Sequence, residues 1–459
     1  MALLVSSPAH AAPALDGAAM GWPWALPFAG ILLSIATGPL LLPKFWHAHY
    51  GKIAAAWALL TLIPIAFISG IGAALAAFVH AMLAEYLSFI VLLFALYVVA
   101  GGILITGDLR GTPTLNAGVL AFGTLIASIV GTTGAAMILV RPLIRANAGR
   151  THNTHVVVFF IFLVANIGGA LSPLGDPPLF VGFLRGVDFF WTTAHMWIET
   201  TVAAALVLAI FIALDIWLGR NEKRAPVPPQ AEQLRIRGLV NLPLIALIIG
   251  AILLSATWKP GITITIYGTG VALQNLVRDG VLIVLALLSL RLTPAEHRAA
   301  NDFTWEPIAE VAKLFAGIFV CIIPVLAMLE AGRNGLFAPL LNVVTAHDGA
   351  PHPAAYFWLT GLLSALLDNA PTYLVFFQLA GGNPADLMGS LAATLAAISM
   401  GAVFMGALTY IGNAPNFMVY AIASERGVKM PSFFGYMLWS CAVLLPVFAL
   451  ITAVFVARP

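Results

Sequence analysis

Two acidic residues stand inside apolar segments, each at a point where a helix would break. Asp176 lies in Gly-Ala-Leu-Ser-Pro-Leu-Gly-Asp-Pro-Pro-Leu-Phe (169–180) and Asp368 in Ser-Ala-Leu-Leu-Asp-Asn-Ala-Pro-Thr (364–372). An ionisable side chain at bilayer depth costs about 2.5–3.5 kcal/mol on insertion scales, so each acid reads as functional or, alternatively, as a cap on a half-helix. The surrounding residues are hard neutral oxygen donors: the amides of Asn369, Asn413 and Asn416, and the hydroxyls of Thr132, Thr133, Ser172, Thr372 and Thr409. Carboxylate, amide and hydroxyl oxygens, joined by the carbonyls of unwound backbone, suit a small hard cation. Asp176, Asp368, Asn369 and Asn413 are the expected Na⁺ ligands. Two carboxylates in one low-dielectric cavity would also set protons and cations in competition for the same place.

The breaks recur. The stretch at 169–180 returns as Gly-Ala-Leu-Thr-Tyr-Ile-Gly-Asn-Ala-Pro-Asn-Phe at 406–417, which pairs Ser172 with Thr409, Gly175 with Gly412 and Asp176 with Asn413. The segment around Ser128 to Ala136 matches that around Ser364 to Thr372 at an offset within one residue of the first. This alignment sets Thr132 on Asp368 and Thr133 on Asn369. Non-helical backbone is tolerated at membrane depth only where it is buried in protein or lines a cavity, so paired breaks in two halves point to a binding site.

The elements that must position these residues follow from composition. Of 459 residues, 61% are hydrophobic and 9% charged, and the mean hydropathy is +0.99. Apolar runs of about 20 residues, the length that crosses a bilayer, recur along the chain and leave no room for a soluble domain. The sequence therefore predicts an all-α polytopic membrane protein. Crossings are expected at about 22–43, 53–79, 87–107, 155–187 (broken), 195–218, 238–257, 280–292, 307–329, 390–424 (broken) and 434–457. That makes about ten spanning helices plus two re-entrant hairpins at 116–140 and 356–380, arranged as two inverted-topology repeats. The organisation reads as a leader or signal peptide at 1–20, a first repeat at 21–218, a cytoplasmic linker at 219–237 and a second repeat at 238–459.

Orientation follows the basic residues. With the N-terminus outside, only Arg185, Lys259, Arg278, Arg333 and Arg458 of the 21 Lys and Arg residues fall outside. The expected location is a bacterial-type inner membrane. Glu199 and Asp215 read as interfacial and Glu310 with Lys313 as a local ion pair. His152 and His155 read as part of a solvated loop or as pH sensors. The two cysteines are packing residues. No HExxH or GxSxG motif occurs, which disfavours an intramembrane enzyme.

Leu-Asp-Asn-Ala-Pro-Thr (367–372) and Ile-Gly-Asn-Ala-Pro-Asn (411–416) resemble the ion transporter superfamily that includes NhaD-type sodium/proton antiporters, arsenite permeases and citrate transporters. The resemblance covers essentially the whole chain. It implies that Asp368 and Asn369 form the acid–amide pair of the second hairpin and Asp176 the acid of the first broken helix. The dicarboxylate branch carries Ser-Asn-Thr at both hairpin tips, whereas this chain has Gly131-Thr132-Thr133 and Asp368-Asn369-Ala370. Two carboxylates in the cavity would repel a tricarboxylate and attract Na⁺. The expected function is thus Na⁺/H⁺ antiport by alternating access; the alternative is a Na⁺- or H⁺-coupled citrate or organic-anion transporter, or an arsenite-type permease. Expected partners are small inorganic ions and lipid, with a second copy of the chain as a candidate, and no nucleic acid. No covalent cofactor is expected, only Na⁺ and H⁺ as transported or coupling ions.

Overall fold

The computed structural model describes residues 15–107, 109–220, 222, 234–346 and 349–456. The first fourteen residues of the expected leader, most of the expected linker with Lys223 and Arg224, and Arg458 lie outside the described residues. The protein is an all-α polytopic membrane protein. Among the described residues eight helices are long and apolar enough to span a bilayer, and shorter apolar helices lie at Thr154–Gly169, Asn241–Thr257, Pro353–Leu366 and Ala392–Leu408.

Both halves follow one order of elements. The first runs through three helices, Trp22–Leu41, Pro43–Ser69 and Ile71–Ala100, then a hairpin, Pro113–Val130 and Thr132–Ala146. An interrupted helix follows, Thr154–Leu163 and Pro177–Leu184, and then a long final helix, Trp191–Gly219. The second runs through Asn241–Thr257, Leu273–Leu292 and Glu306–Glu330, the hairpin Pro353–Leu366 and Asn369–Leu379, the interrupted helix Ala392–Met405 and Ala414–Glu425, and Phe433–Val456. The second arm of each hairpin packs on the later part of the other half's interrupted helix: Asn369–Leu379 on Pro177–Leu184, and Thr132–Ala146 on Ala414–Glu425. A short antiparallel pair, Leu104–Thr106 with Arg235–Arg237, ties the end of the third helix to the start of the second half.

Glycine makes both interruptions possible. A Cβ on Gly175 would sit 2.1 Å from the carbonyl oxygen of Gly169, and one on Gly412 would sit 2.7 Å from that of Gly406, so each broken segment folds back on its own backbone at matched places. The first hairpin turns at Gly131, whose φ of 81° lies in the left-handed region that favours glycine.

Several expectations need correction. The crossings at 53–79 and 87–107 are shifted: the helices are Pro43–Ser69 and Ile71–Ala100, and the chain turns at Gly70 with φ 91°. The sequence reading leaves 80–86 between two crossings. The helix instead continues through a π turn at Ala81–Tyr86, and Arg185 Nη2 pairs with Glu85 at 2.9 Å. Pro113–Val130, read as a re-entrant arm, is long and apolar enough to cross on its own. Glu310 and Lys313 form no ion pair with each other: Glu310 accepts from Trp46 Nε1 at 3.0 Å, and the Lys313 ammonium lies 5.2 Å from the Tyr50 ring centroid. His155 and Asp215 are buried rather than solvated or interfacial. Asp215 Oδ1 lies 2.9 Å from His155 Nε2 and 2.6 Å from Arg150 Nη2, and Oδ2 accepts from Asn116 Nδ2 at 3.0 Å. These partners neutralise an acid that the bilayer alone would reject.

Candidate functional site

The unwound segments and hairpin tips converge on one carboxylate. Asp176 precedes the helix Pro177–Leu184 but makes no side-chain cap to it. Its carboxylate turns inward, 1% exposed, and accepts three hydrogen bonds. Thr132 Oγ1 and Asn413 Nδ2 donate to Oδ1 at 3.2 and 3.0 Å, and Asn369 Nδ2 donates to Oδ2 at 2.6 Å. Thr132 opens the second arm of the first hairpin, Asn369 opens that of the second, and Asn413 precedes the helix Ala414–Glu425. Charge-assisted bonds of this kind are shorter and roughly twice as strong as neutral ones. The three donors hold both hairpins and both interrupted helices to one point.

The geometry also fixes the register of the repeat. Thr132 and Asn369, Ser172 and Thr409, and Asp176 and Asn413 are each 237 residues apart and occupy matching places. Thr132 therefore corresponds to Asn369, not to Asp368 as the sequence alignment has it; Asp368 corresponds to Gly131, the residue before the helix. The one-residue error arose because Ser128 was matched to Ser364. The structure pairs the backbone of Ser128 with that of Ala365: Ser172 Oγ donates to the Ser128 carbonyl and Thr409 Oγ1 to the Ala365 carbonyl at 2.5 Å.

Asp368 caps the helix Asn369–Leu379 by accepting from the Ala370 N–H at 3.3 Å. Its side chain also faces two joined cavities. The inner chamber, about 80 Å³, is lined by Asp176, Asp368, Thr132, Thr133, Asn413 and Tyr97, and no Lys, Arg or His among the described residues lines it. That volume holds several waters at roughly 10–15 Å³ each. Beyond it a vestibule of about 450 Å³ carries Asp368, Asn413, Asp302, Glu306, Glu310 and Glu425 against Arg141 and His47. At the vestibule wall one carboxylate, Asp302, meets Arg141 Nε at 3.2 Å and Arg426 Nη2 at 2.5 Å.

Not every expected ligand is brought to the centre. Ser172, Thr409 and Thr372 give their hydroxyl protons to backbone carbonyls, Thr372 to that of Asp368 at 2.9 Å, and so hold the breaks in shape. Asn416 stands one step removed: it donates to the Gly406 and Thr409 carbonyls at 2.9 and 3.0 Å, and its Oδ1 accepts from Asn166 Nδ2 at 2.7 Å. Asn166 escapes the sequence reading because it has no polar counterpart in the second half. The available signal was an amide within the run Phe159–Ala165 and Gly168-Gly169. The buried Asn369 Oδ1 has no hydrogen-bond partner among the described residues. An unpaired buried carbonyl oxygen costs about 1–3 kcal/mol, which a cation or water beside it would recover.

Comparison with known proteins places this geometry in a family. A Synechocystis protein described as an uncharacterized transporter is 26% identical over 367 residues, covering 74% of this chain and 77% of its own. An uncharacterized transporter of Mycobacterium bovis is 24% identical over 334 residues, covering 70% and 72%, and one of Mycobacterium tuberculosis matches to the same extent. The sequence model of the family described as "Putative citrate transport" matches residues 17–456. Of the branches the sequence resembles, this is the citrate one. With its polytopic helices and its paired interruptions, the chain belongs to that family and is an integral-membrane transporter.

Proposed function

We propose that the protein is a secondary active transporter exchanging Na⁺ for H⁺ at Asp176. One observation carries this reading: among the described residues, the chamber beside Asp176 is lined by two carboxylates, Asp176 and Asp368, and by no basic side chain. A dehydrated cation entering there meets Asp176, Asp368, the Thr132 hydroxyl and the amide of Asn413. The proton bound at the carboxylate leaves as the cation arrives, since both forms cannot share one desolvated site. Asp368 lines both cavities and stands between vestibule and chamber. With the orientation that keeps most basic residues inside and the N-terminus outside, the vestibule opens to the cytoplasm of a bacterial-type inner membrane. The hairpins enter as inverted re-entrant repeats, and alternating access comes from the hairpin-bearing elements moving against the remaining helices.

A second reading, transport of citrate or another organic anion coupled to Na⁺ or H⁺, has the family description in its favour. It also has Arg141 at the vestibule wall, whose buried Nη1 lacks a hydrogen-bond partner among the described residues. The test uses purified protein in liposomes with internal pH followed as Na⁺, Li⁺, K⁺, citrate and arsenite are added in turn. Na⁺ alone should move protons, with an apparent affinity that falls as pH drops. Citrate accumulation that depends on a Na⁺ gradient, with no proton movement on Na⁺ alone, would replace this reading with the second.

A further inference from the structure

The polar residues behind Asp176 form a chain of amides with one possible sense. Asn416 Nδ2 donates to two backbone carbonyls, those of Gly406 and Thr409 at 2.9 and 3.0 Å. A carbonyl can only accept, so the amide nitrogen must face them and the Asn416 Oδ1 must face away. That oxygen takes a hydrogen bond from Asn166 Nδ2 at 2.7 Å, and the same nitrogen also donates to the Ile161 carbonyl at 2.8 Å. The Asn166 Oδ1 is thereby turned to Asn413, whose Nδ2 donates to it at 3.4 Å, to the neighbouring Ala165 carbonyl at 3.3 Å and to Asp176 Oδ1 at 3.0 Å. Asn416 orients Asn166, and Asn166 together with the adjacent Ala165 carbonyl orients Asn413, so the series is anchored on backbone carbonyls around the interruptions.

Asn166 and Asn416 are also where the repeat departs from itself. Displaced by 237 residues, Asn166 falls on Val403 and Asn416 falls back on Leu179, and both of these are buried apolar residues. The hydroxyls that brace the breaks, Ser172 and Thr409, obey the repeat; this amide pair does not. It sits only behind the half of the site that carries the carboxylate.

We infer that Asn166 is a positioning residue that fixes the amide of Asn413, so that its N–H is committed to Asp176 and its carbonyl oxygen is left to the cavity Asn413 lines. Asn166 touches neither cavity and acts only through its neighbour. If Asn413 could turn over, its oxygen would oppose the Asp176 carboxylate and its nitrogen would face the incoming cation, an arrangement repulsive on both sides. This inference rests on the proposed cation exchange.

The test is a double-mutant cycle on the full chain in liposomes. Asn166→Val installs the residue of the other half, and Asn413→Ala removes the amide it orients. Asn166→Val should raise the apparent Na⁺ KM at least tenfold with Vmax within twofold, and adding it to Asn413→Ala should change KM by less than twofold. If Asn166→Val fails to insert, Asn166→Ser keeps a donor for the Ile161 carbonyl but is too short to bridge both amides, and it takes its place. An unchanged KM, or two effects that multiply, would overturn the inference. A wild type that moves no protons with Na⁺ or Li⁺ would instead defeat the exchange reading. The same cycle would then be read on the melting-temperature rise given by K⁺, Mg²⁺ or citrate, and a wild type responding to none of these overturns both.

Discussion

The two interrupted helices share the same glycine contact and the same hydroxyl brace, yet one carries Asp176 where the other carries Asn413. The hairpin tips differ in the opposite sense, Gly131 in the first half against Asp368 in the second. The repeated residues shape backbone, and both acids stand at places the repeat does not share. Two like acids at equivalent places would face each other across the centre. Splitting them between a helix break and a hairpin tip leaves one fully buried carboxylate surrounded by donors and a second at the cavity junction.

The sharpest way to break this comparison is Asp176→Asn, which makes the first half like the second. Three donors would then share an amide that can offer them only one oxygen. Each charge-assisted hydrogen bond lost is worth about 1.5–3 kcal/mol, so Na⁺-driven proton movement should fall below detection while the protein still reconstitutes. Adding Asn413→Asp in the same chain moves the carboxylate to the equivalent place; recovered proton movement would show that the halves are interchangeable, and its absence that the amide chain behind Asn413 makes them unlike.

Asp368→Asn should be milder. Asparagine caps a helix about as well as aspartate, so the hairpin tip keeps its bond to Ala370 and only the charge is removed. About a tenfold loss in apparent Na⁺ affinity is expected, near the lower end for a charged partner. Equal loss in the Asp176 and Asp368 variants would contradict the division between central and junction acids.

Smaller still are Ser172→Ala and Thr409→Ala. Each removes one buried hydrogen bond, worth about 1 kcal/mol, and as matched braces they should lower unfolding stability in detergent by similar amounts with little change in ion preference.

The last prediction lies outside the spans, where Glu222 holds Arg150 Nε at 2.8 Å and the His152 N–H at 2.7 Å. Burial pushes this acid up, but the Arg150 guanidinium and the His152 N–H outweigh it and hold it below the ordinary glutamate range. A depressed acid stabilises above its unfolded titration range and loses that contribution as pH falls through its folded one. Protection of the amides at 147–153, taken relative to their intrinsic exchange rates at each pH, should therefore fall as pH drops below the ordinary glutamate range. Glu222→Gln should remove that acid-dependent change.

Much of this was legible because bilayers leave few options. Apolar length gave the class, and Gly, Asp and Pro inside apolar runs marked both breaks. Charges were misplaced where the partner is distant in sequence: Asp215 reads as interfacial, but His155 and Arg150, 60 and more positions away, bury it, and Glu85, within a stretch read as lying between crossings, pairs with Arg185 inside a continuous helix. The hairpin register slipped because serine at 364 resembled serine at 128, whereas the fold aligns main-chain carbonyls without regard to side chain. Asn166 could not be found by looking for repeats, since it is a departure from one.

The vestibule adds a kinetic dimension to the site behind it. Asp302, Glu306, Glu310, Glu425 and Asp368 face Arg141 and His47 across low-dielectric walls. A cleft lined mainly by one sign of charge focuses its field outward, enriching cations at its mouth and speeding their arrival by 10-fold or more at low ionic strength. With a Debye length of about 8 Å at physiological salt, that attraction reaches little past the rim. On the proposed cation reading, capture rate, unlike affinity at Asp176, would therefore be set by the salt of the compartment onto which the vestibule opens.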